Sequence, residues 1–493
     1  MNKIILIYPS LMDLDASNVI LPLSLIYIAT PLKGQFDIHI IDQRVDKEWR
    51  RTLTKELQSG SVTCAGISSM TGPQISGAIE AASVVRKISP AVPIVWGGVH
   101  PSLAPEQTIK NDLVDIVVIG DGEETFKEIV EMIQNGGDKK IVRGIIYKEK
   151  ESIVRTPMRE QFPISKIDNP AYDLIDIGRY NFMPPWVGKN TIPVLTSRGC
   201  PMRCSYCYNT QFSQKKWTSL SPEQTVTLIN RLVEKYEIRD LSLLDDNFFV
   251  NLNRVKRICE LIIDNDFNIE FHNVNCRVDT IAKMDDEFLE LLKKAGFKQL
   301  FVGVESGSNR VLSRIKKDIT VEQILTVSTK LKNAGINSFY SFMAGFPFET
   351  VDDIKKTVLL MKRLLTENPD ANVYKLQIYT PFPGTELFHY LSTRGMKFPT
   401  SLEGWATYHY DRINYNGFNK EHRDFLKDMN FYTIFLDRKL FDGLSKYLRP
   451  VSYLYSKTLS FRIDRRCYSC MYELYLIKML QKFQSRLRGK DPT

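Results

Sequence analysis

Long apolar segments are missing from this 493-residue sequence. None approaches the roughly 20 residues that a membrane-spanning helix needs. The apolar run that begins at Lys3 is too short for a secretory signal peptide and is typical of a first β-strand. We therefore expect a cytoplasmic protein, and the length of the chain predicts two or three domains with separate cores.

Cysteine is too scarce for a disulfide framework. The chain has 8 cysteines, and three of them fall between positions 200 and 207. In a reducing compartment, clustered cysteines are more often metal ligands or redox groups than disulfide partners. The sequence therefore excludes the class of small disulfide-stapled proteins and indicates metal chemistry.

Excess positive charge is confined to the C-terminal tail. The net charge is +9, and positions 436–493 carry 13 Lys and Arg residues against 5 Asp and Glu residues. The rest of the chain is nearly neutral, with 53 basic against 52 acidic residues. Because no nucleic-acid-binding module accompanies the basic tail, nucleic acid is not an expected partner.

Two series of alternating strands and helices follow each other along the chain. Five apolar, β-branched segments come first, at 3–8, 37–41, 63–68, 93–96 and 116–119. They predict a doubly wound, Rossmann-like parallel sheet, to which a β-hairpin at 142–158 is appended. Six more strands, each of the first five with a following helix, predict a partial (β/α)6 barrel: 192–196, 241–244, 269–275, 299–304, 338–344 and 374–379.

These patterns divide the α/β chain into four regions. We expect a first domain at 1–140, a hairpin and connector at 141–190, a partial barrel at 191–385 and a mainly helical, basic C-terminal domain at 386–493. Ligands of such sheets and barrels bind at the carboxyl ends of the strands. Candidate functional residues are therefore expected directly after the strands.

Cys200, Cys204 and Cys207 form a C-x3-C-x2-C pattern in the loop after the first barrel strand. A structural zinc site needs four nitrogen or sulfur ligands, and no fourth Cys or His lies nearby in the sequence. Three thiolates suit a [4Fe–4S] cluster with one open iron. S-adenosylmethionine (SAM) can fill that position, and an electron from the cluster then cleaves its S–C5′ bond. We interpret the three cysteines as metal ligands and catalytic residues, with a zinc or structural role as the alternative.

The pattern Cys-x3-Cys-x-aromatic-Cys, with Tyr206 as the aromatic residue, resembles the signature of the radical SAM superfamily. This resemblance covers about residues 191–380 and implies that the Tyr206 backbone helps to hold adenine. Further motifs after successive strands resemble the family's SAM-binding segments. They give as SAM-binding candidates Asp245, Asp246, Arg277, Glu305, Ser306 and Gly345.

The acidic pair departs from the family's usual Gly-Gly-Glu, so either Asp245 or Asp246 can be the carboxylate that contacts SAM. The structural alternative is a strand-end ion pair for the two aspartates and Arg277. Turn chemistry is the corresponding alternative for the glycines.

Segments of the first domain at 21–25, 96–101, 105–106 and 118–124 resemble the cobalamin-binding domain of B12-dependent radical SAM enzymes. The resemblance then spans about residues 1–385. This family includes methylases of unactivated carbon and the anaerobic magnesium-protoporphyrin ester cyclase. The strand-end positions that it gives as cobalamin contacts are Leu23, Ser68, Ser69, Gly97, Gly98, Gly120 and Gly122.

One departure concerns histidine. Many cobalamin domains supply a lower axial ligand from Asp-x-His-x-x-Gly after the first strand, but the loop at 9–17 has no histidine. His39 lies inside the second predicted strand and is interpreted as an ordinary strand residue. His100 either contacts the corrin edge or caps the turn before it. We therefore expect bound cobalamin to have no protein histidine on cobalt.

The resemblance implies a [4Fe–4S] cluster, SAM and cobalamin as cofactors, with flavodoxin or ferredoxin as the electron donor. The 5′-deoxyadenosyl radical would remove hydrogen from an unactivated carbon of a small-molecule or lipid substrate. Methylcobalamin would then deliver the methyl group, and a second SAM would regenerate it. Radical ring formation or rearrangement is the first alternative. A non-catalytic cobalamin sensor is the second, although a sensor needs no SAM-cleaving cluster.

The C-terminal region combines aromatic and basic residues. Trp405 and Tyr408 belong to an aromatic group that either covers the barrel mouth or simply packs. Cys467 and Cys470 lack a matching cysteine pair, so we interpret them as structural or adventitious, with half of a second metal site as the alternative. Basic residues interleaved with Tyr and Leu predict a peripheral contact with the anionic inner face of the membrane. A solvated helical face is the alternative.

Overall fold

A computed structural model describes residues 2–11, 19–167, 169–180, 191–408, 417–437, 439, 449–465 and 467–468. The chain forms two compact units. The first comprises Met1–Asn275, Glu290–Lys298 and Thr380–Asn414, and the second comprises Cys276–Leu289, Gln299–Tyr379 and Tyr415–Thr493.

The first unit begins with a seven-stranded sheet. Its strands are β1 (Lys3–Tyr8), β2 (Asp37–Asp42), β3 (Val62–Ser68), β4 (Ile94–Gly97), β5 (Ile116–Val118), β6 (Ile145–Glu149) and β7 (Ser152–Arg155). They lie in the order β2-β1-β3-β4-β5-β6-β7. The first five are parallel, and the β6–β7 hairpin continues the sheet in antiparallel fashion. This is a flavodoxin-like order, in which the winding reverses between β1 and β3.

Helices cover both faces of this sheet: α1 (Leu23–Ala29), α2 (Trp49–Gln58), α3 (Gln74–Ile88), α4 (Val99–Leu103), α5 (Pro105–Ile109) and α6 (Glu123–Asn135). Successive residues of β1 point to opposite faces. Ile5 and Ile7 pack in a core with α2 and α3, whereas Ile4 and Leu6 pack in a core with α1 and α6. Burial on both faces explains why this strand is apolar without alternation.

The later strands and helices continue the α/β alternation. The strands are β8 (Ile192–Val194), β9 (Ser197–Gly199), β10 (Trp217–Ser219), β11 (Asp240–Leu243), β12 (Glu270–His272), β13 (Val274–Arg277), β14 (Gln299–Glu305), β15 (Asn337–Ala344), β16 (Asn372–Val373) and β17 (Gln377–Ile378). The helices are α7 (Asn209–Phe212), α8 (Pro222–Tyr236), α9 (Leu252–Asp264), α10 (Val278–Ile281), α11 (Asp286–Lys294), α12 (Asn309–Arg314), α13 (Val321–Ala334), α14 (Val351–Glu367), α15 (Glu386–Ser392), α16 (Leu402–Ala406), α17 (Lys420–Tyr432) and α18 (Arg449–Arg465).

Parallel pairing dominates this second series. In the first unit, β8, β11 and β12 are parallel, and β9 and β10 form a short antiparallel ribbon. In the second unit, β14, β15 and β16 are parallel, and β17 also pairs with β15. The predicted fold class is confirmed: an N-terminal parallel sheet, a second β/α series and a helical C-terminal region.

The C-terminal region is divided between the two units. α15 and α16 belong to the first unit, where Trp405 enters the core beside α3. α17 and α18 belong to the second unit. Cys470 and the basic tail from residue 469 onward lie outside the described residues, and the four predicted domain boundaries stay a prediction. Within the described part of the chain, no helix is long and apolar enough to span a bilayer.

His100, the second residue of α4, is completely buried in the first unit. Its Nδ1 lies 3.1 Å from Thr71 Oγ1, and its ring centroid lies 5.7 Å from that of Trp405. The His100 N–H donates to the Ser69 carbonyl oxygen at 3.1 Å. Burial lowers the pKa of His100 to about 3, so the folded protein holds a neutral imidazole at neutral pH.

We expect His100→Asn to make the apoprotein less sensitive to acid. An unfolded histidine has a pKa of about 6.5, so below this pH the unfolded chain binds a proton at residue 100 that the folded chain does not bind. The free energy of unfolding therefore falls as the pH drops below 6.5, by about 2 kcal/mol down to pH 5. Urea unfolding at several pH values measures this slope. Thr71→Val, which keeps the buried imidazole, should retain the wild-type slope, and an unchanged slope in His100→Asn would contradict the prediction.

Candidate functional site

The three clustered cysteines lie in the loop between β9 and α7. Cys204 is buried, Cys200 and Cys207 are half-buried, and none of them forms a disulfide. The Cys207 N–H donates to the Cys204 carbonyl oxygen at 3.2 Å, and Thr210 Oγ1 donates to the Cys207 carbonyl oxygen at 2.8 Å. The Leu387 N–H, at the start of α15, donates to the Ser205 carbonyl oxygen at 3.1 Å. The loop is therefore a compact turn that α15 supports.

The thiols of this loop influence each other. Burial raises the pKa of Cys207 to about 12, and the nearby Cys204 and Cys200 raise it further. Among the described residues, however, no three cysteine sulfurs lie within 4.8 Å of one another. A single tetrahedral ion with Zn–S bonds of about 2.3 Å would need sulfurs about 3.8 Å apart. The three thiols are therefore not arranged as ligands of a single tetrahedral ion.

Asp245, after β11, is completely buried. Its carboxylate accepts hydrogen bonds from Thr196 N–H at 2.7 Å, Thr196 Oγ1 at 2.6 Å and Ser197 Oγ at 2.5 Å. Arg254 donates to both the carbonyl oxygen and Oγ1 of Thr196, at 3.1 and 3.0 Å. Both oxygens of Asp245 are therefore used to fix the segment that leads into the cysteine loop.

Asp246 is exposed and faces the cysteine loop. Its Oδ2 accepts the Gly199 N–H at 2.7 Å. The neighbouring Asn247 is buried, and its Nδ2 lies 3.8 Å from Cys200 Sγ. Of the two predicted SAM-contacting carboxylates, Asp246 is thus the one with accessible surface beside the cysteines.

Gly199 must be a glycine because two constraints act on it. Its φ is +82°, a left-handed conformation that other residues rarely adopt. A Cβ at this position would lie 2.2 Å from the Lys216 carbonyl oxygen. The backbone of β9 therefore comes very close to the Lys216 carbonyl oxygen, just before β10, one residue before Cys200.

Arg198 joins the cysteine loop to the first sheet. Its guanidinium lies 2.5 Å from Glu123 and 3.6 Å from Asp121, and 4.9 Å from the ring centroid of Tyr27. Asp121 also accepts the Phe162 N–H at 3.0 Å. Burial raises the pKa of Asp121 to about 6, and Arg198 opposes this effect. Asp121 and Glu123 lie within the segment 118–124 of the sequence analysis, but their pairing with Arg198 across about 75 positions of the chain gave no local signal.

The predicted cobalamin contacts lie at the carboxyl ends of the first-sheet strands and at the start of α1. Gly98 has φ of +98°, and a Cβ there would lie 2.8 Å from the Ser69 carbonyl oxygen. Ser102 Oγ donates to the Gly98 carbonyl oxygen at 2.7 Å and accepts the Gly120 N–H at 2.9 Å. Ser24 and Ser68 place their hydroxyl oxygens 3.3 Å apart. Three further predicted residues along this edge are half-buried: Leu23, Gly97 and Gly122.

This edge has unsatisfied polar atoms. Within the described part of the chain, Ser69 Oγ and His100 Nε2 are buried without a hydrogen-bond partner. Buried polar groups are nearly always paired, so such atoms are typical of a ligand site. In sheets of this order, ligands bind beyond the carboxyl ends of the strands at the reversal point. The glycine-rich edge therefore fits a large cofactor such as cobalamin.

Glu305 and Lys317 form a buried ion pair in the second unit. Lys317 Nζ lies 2.7 Å from Glu305 Oε1, and Glu305 has φ of +71°. Such a conformation costs energy in a non-glycine residue and is often found at functional sites. Arg277 donates to the Lys317 carbonyl oxygen at 2.7 Å and pairs with Asp279 at 2.8 Å. Lys317 was not predicted as a site residue because nothing in the sequence near it marks its partner.

Ser306 and Gly345 are engaged in the second unit's own loops. Ser306 Oγ lies 3.2 Å from Thr357 Oγ1 and accepts the Ser308 N–H at 3.2 Å. The Gly345 N–H donates to the buried carboxylate of Glu349 at 2.5 Å. Burial raises the pKa of Glu349 to about 8. Both predicted residues thus shape strand-end turns, and their contact with SAM stays a prediction.

Asp240, Glu270 and His272 bring three metal-ligating atoms within 4.8 Å of one another at the β11–β12 pair. Lys298 Nζ lies 3.3 Å from Glu270, so this group already has a cation of its own. The His39 ring nitrogens lie close to carboxylates, with Nε2 3.1 Å from Asp37 and Nδ1 3.4 Å from Glu56. Neither group indicates a further cofactor.

Two family models match the chain. The model of the radical SAM superfamily matches residues 194–361, and the model of the B12 binding domain matches residues 10–130. An uncharacterised methyltransferase of Pyrococcus horikoshii is 30% identical over 374 residues, which are 75% of this chain and 78% of the relative. The anaerobic magnesium-protoporphyrin IX monomethyl ester cyclase of Rubrivivax gelatinosus is 26% identical over 75% of this chain and 66% of the relative.

The solved structure of the cobalamin-dependent S-adenosylmethionine radical enzyme OxsB, with aqua-cobalamin bound, is similar in fold. Its TM-score is 0.75 at 18% identity, and the match covers 99% of this chain and 76% of that chain. A radical SAM domain implies a [4Fe–4S] cluster and SAM, and a B12-binding domain implies cobalamin, so the predicted cofactors are confirmed. The chain therefore belongs to the family of radical SAM enzymes that carry a B12-binding domain.

Proposed function

We propose that this chain is a cobalamin-dependent radical SAM methyltransferase that acts on an unactivated carbon of a small molecule or lipid. One observation carries the proposal. The first unit contains both the three-cysteine loop and the glycine-rich edge of a flavodoxin-like sheet, which are the two cofactor sites that this chemistry needs. An enzyme of this class also requires a reductant, and a flavodoxin or ferredoxin is the proposed donor.

Cys200, Cys204 and Cys207 would hold the cluster through their three sulfurs. When bound, the cofactors supply the electron that cleaves SAM to methionine and a 5′-deoxyadenosyl radical, and the methyl group that replaces the hydrogen removed from the substrate. The Tyr206 backbone would contact adenine. The Asp246 carboxylate would accept a hydrogen bond from the SAM amino group, because it is exposed beside Cys200. The carboxylate of Asp245 is already hydrogen-bonded to Thr196 and Ser197.

In the second unit, Glu305 is the proposed ribose or amino-acid contact, and Lys317 fixes its carboxylate at 2.7 Å. Arg277 would support this pair by its hydrogen bond to the Lys317 carbonyl oxygen. Ser306 and Gly345 would shape the adjacent turns. The roles of these residues are to orient SAM and to exclude water around a reactive radical.

At the first-sheet edge, the Ser69 hydroxyl and the backbone of the glycine turns would contact cobalamin. Neither described histidine of this sheet is placed as a cobalt ligand. His39 lies in β2 beside the carboxylates of Asp37 and Glu56, and His100 is buried beside Thr71 and Trp405. The described histidines of the first sheet would therefore not ligate cobalt, and bound cobalamin would supply the methyl group without a histidine from this sheet.

A cyclase-like reaction is the second candidate function, and the 26% identity to the magnesium-protoporphyrin cyclase supports it. Both reactions begin with hydrogen removal, so the same cysteines would serve either one. They differ in whether a methyl group reaches the product.

We expect Cys204→Ala to abolish reductive cleavage of SAM. The wild type purified without oxygen should contain about four iron atoms per chain and give 5′-deoxyadenosine with dithionite and SAM. The variant should lose the reduced-cluster electron paramagnetic resonance signal and the 5′-deoxyadenosine. Cys467→Ala, at an exposed cysteine, is the matched control and should retain both. Cleavage of SAM by Cys204→Ala would show that the cluster ligands are assigned wrongly.

We expect a methylated product when the reduced enzyme acts on lipid and metabolite extracts of its host. With SAM that carries a deuterated methyl group, mass spectrometry should find a compound in which this group has replaced one hydrogen. S-adenosylhomocysteine should form together with 5′-deoxyadenosine, because each transfer consumes one SAM for the radical and one for the methyl group. Formation of 5′-deoxyadenosine with a substrate that loses hydrogen and gains no label would favour the cyclase-like reaction.

We also propose a peripheral membrane contact through the second unit. α18 buries Ser456, Leu459 and Ile463. Its opposite side exposes Leu454 and Phe461, which are 65% and 61% exposed and one heptad apart. Basic residues accompany them on the same helix: Lys457, Arg462 and Arg465. Apolar anchors among basic side chains favour an anionic lipid surface and would bring the enzyme close to a lipid-soluble substrate.

We expect Leu454→Ser/Phe461→Ser to weaken sedimentation of the full chain with vesicles that contain phosphatidylserine. Each exposed anchor contributes up to about 2–3 kcal/mol when its side chain is buried in lipid. Ile141→Ser, at a side chain of the first unit that is 73% exposed, is the control and should bind like the wild type. Equal binding of all three proteins, or no binding of the wild type at low salt, would leave α18 as a solvated helix.

A further inference from the structure

Arg198 is held by two acidic side chains of the first-sheet edge. Its Nη1 lies 2.5 Å from Glu123 Oε1 and 3.6 Å from Asp121 Oδ1. The side chains of Arg198, Asp121 and Glu123 are 15%, 10% and 2% exposed, so solvent screens these charges little. The ion pairs are therefore a fixed part of the unit's interior.

The residues that flank Arg198 are held by hydrogen bonds as well. The Gly199 N–H donates to Asp246 at 2.7 Å, and the Tyr27 hydroxyl donates to the Leu195 carbonyl oxygen at 2.9 Å. Ser197 Oγ donates to Asp245 at 2.5 Å. The residues immediately before Cys200 are thus held between the first-sheet edge and the end of β11.

Both acidic partners of Arg198 belong to the turn that carries Gly120 and Gly122. Glu123 is the first residue of α6, where the helix dipole favours a carboxylate. A guanidinium has a planar set of donors and is always charged, so it fixes direction as well as distance. A shift of this turn is therefore transmitted to residue 198, two positions before Cys200.

We propose that Arg198 is a positioning residue that sets the place of the cluster relative to cobalamin and so couples radical formation to methyl transfer. This inference rests on the proposed function. Arg198 does not touch the reacting atoms. It acts through Cys200 on one side and through the turn of Gly120 and Gly122 on the other.

The test uses the full chain loaded with both cofactors. Pulsed electron paramagnetic resonance measures the dipolar coupling between Co(II) and the reduced cluster, and the wild type should give one narrow distance. Arg198→Lys keeps the charge and loses the planar fork, and Glu123→Gln removes the charge of the partner. We expect both variants to lose the single narrow distance while they keep the iron and cobalamin content of the wild type.

Arg86→Gln is the matched control. Arg86 pairs with Asp115 at 2.7 Å, and Asp115 accepts the N–H of Ile94, the first residue of β4, at the amino ends of the strands of the same sheet. This variant should retain the wild-type distance. If Arg198→Lys fails to retain iron, Glu123→Gln decides, because it leaves Arg198 in place.

The outcomes separate the two ideas. If both cofactors bind and both variants keep the wild-type distance distribution, the inference fails and the proposed function stands. A broadened distribution in Arg86→Gln would assign the effect to general loosening and also overturns the inference. A wild type that binds the cluster without cobalamin overturns the proposed function and this inference together.

Discussion

The buried carboxylate of Asp245 holds together the segment from which the cysteine loop begins. Burial of an ionised carboxyl group costs several kcal/mol unless hydrogen bonds compensate it. Here three donors from Thr196 and Ser197 converge on its oxygens, and these bonds oppose the rise in the pKa of Asp245 that burial causes. Asn275 Nδ2 donates to the Asp245 carbonyl oxygen at 2.8 Å. The ends of three chain segments thus meet at one residue, and the positions of Gly199 and Cys200 follow from it.

Because of this arrangement, the side chains of Asp245 and Asp246 have different environments. One carboxylate is turned inward and fixes the loop, while the next residue is turned outward and remains available beside Cys200. A similar division occurs in the second unit, where Arg277 supports the backbone of Lys317 and Lys317 holds Glu305. In both places a residue predicted to bind SAM makes hydrogen bonds within its own unit.

The sequence predicted the elements whose local pattern decides their structure. β1 has the predicted limits, because an apolar run defines it. The β9–β10 ribbon was not predicted, since three-residue strands have no periodicity to detect. The roles of Lys317, Arg198 and Glu123 were not predicted either, because each depends on a partner that is distant in sequence. The packing of α15 and α16 with the first unit, where Trp405 completes a core, likewise depends on contacts between residues that are distant in sequence.

The position of Trp405 also bears on the biosynthesis of the enzyme. It is almost completely buried, and it lies in the same core as residues of β1, α2 and α3. At ribosomal rates of about 5–20 residues per second, on the order of tens of seconds separate the synthesis of the first sheet from that of Trp405. During this interval the nascent sheet leaves part of an apolar face uncovered. The core of the first sheet is therefore complete only after the ribosome has synthesised about 250 further residues.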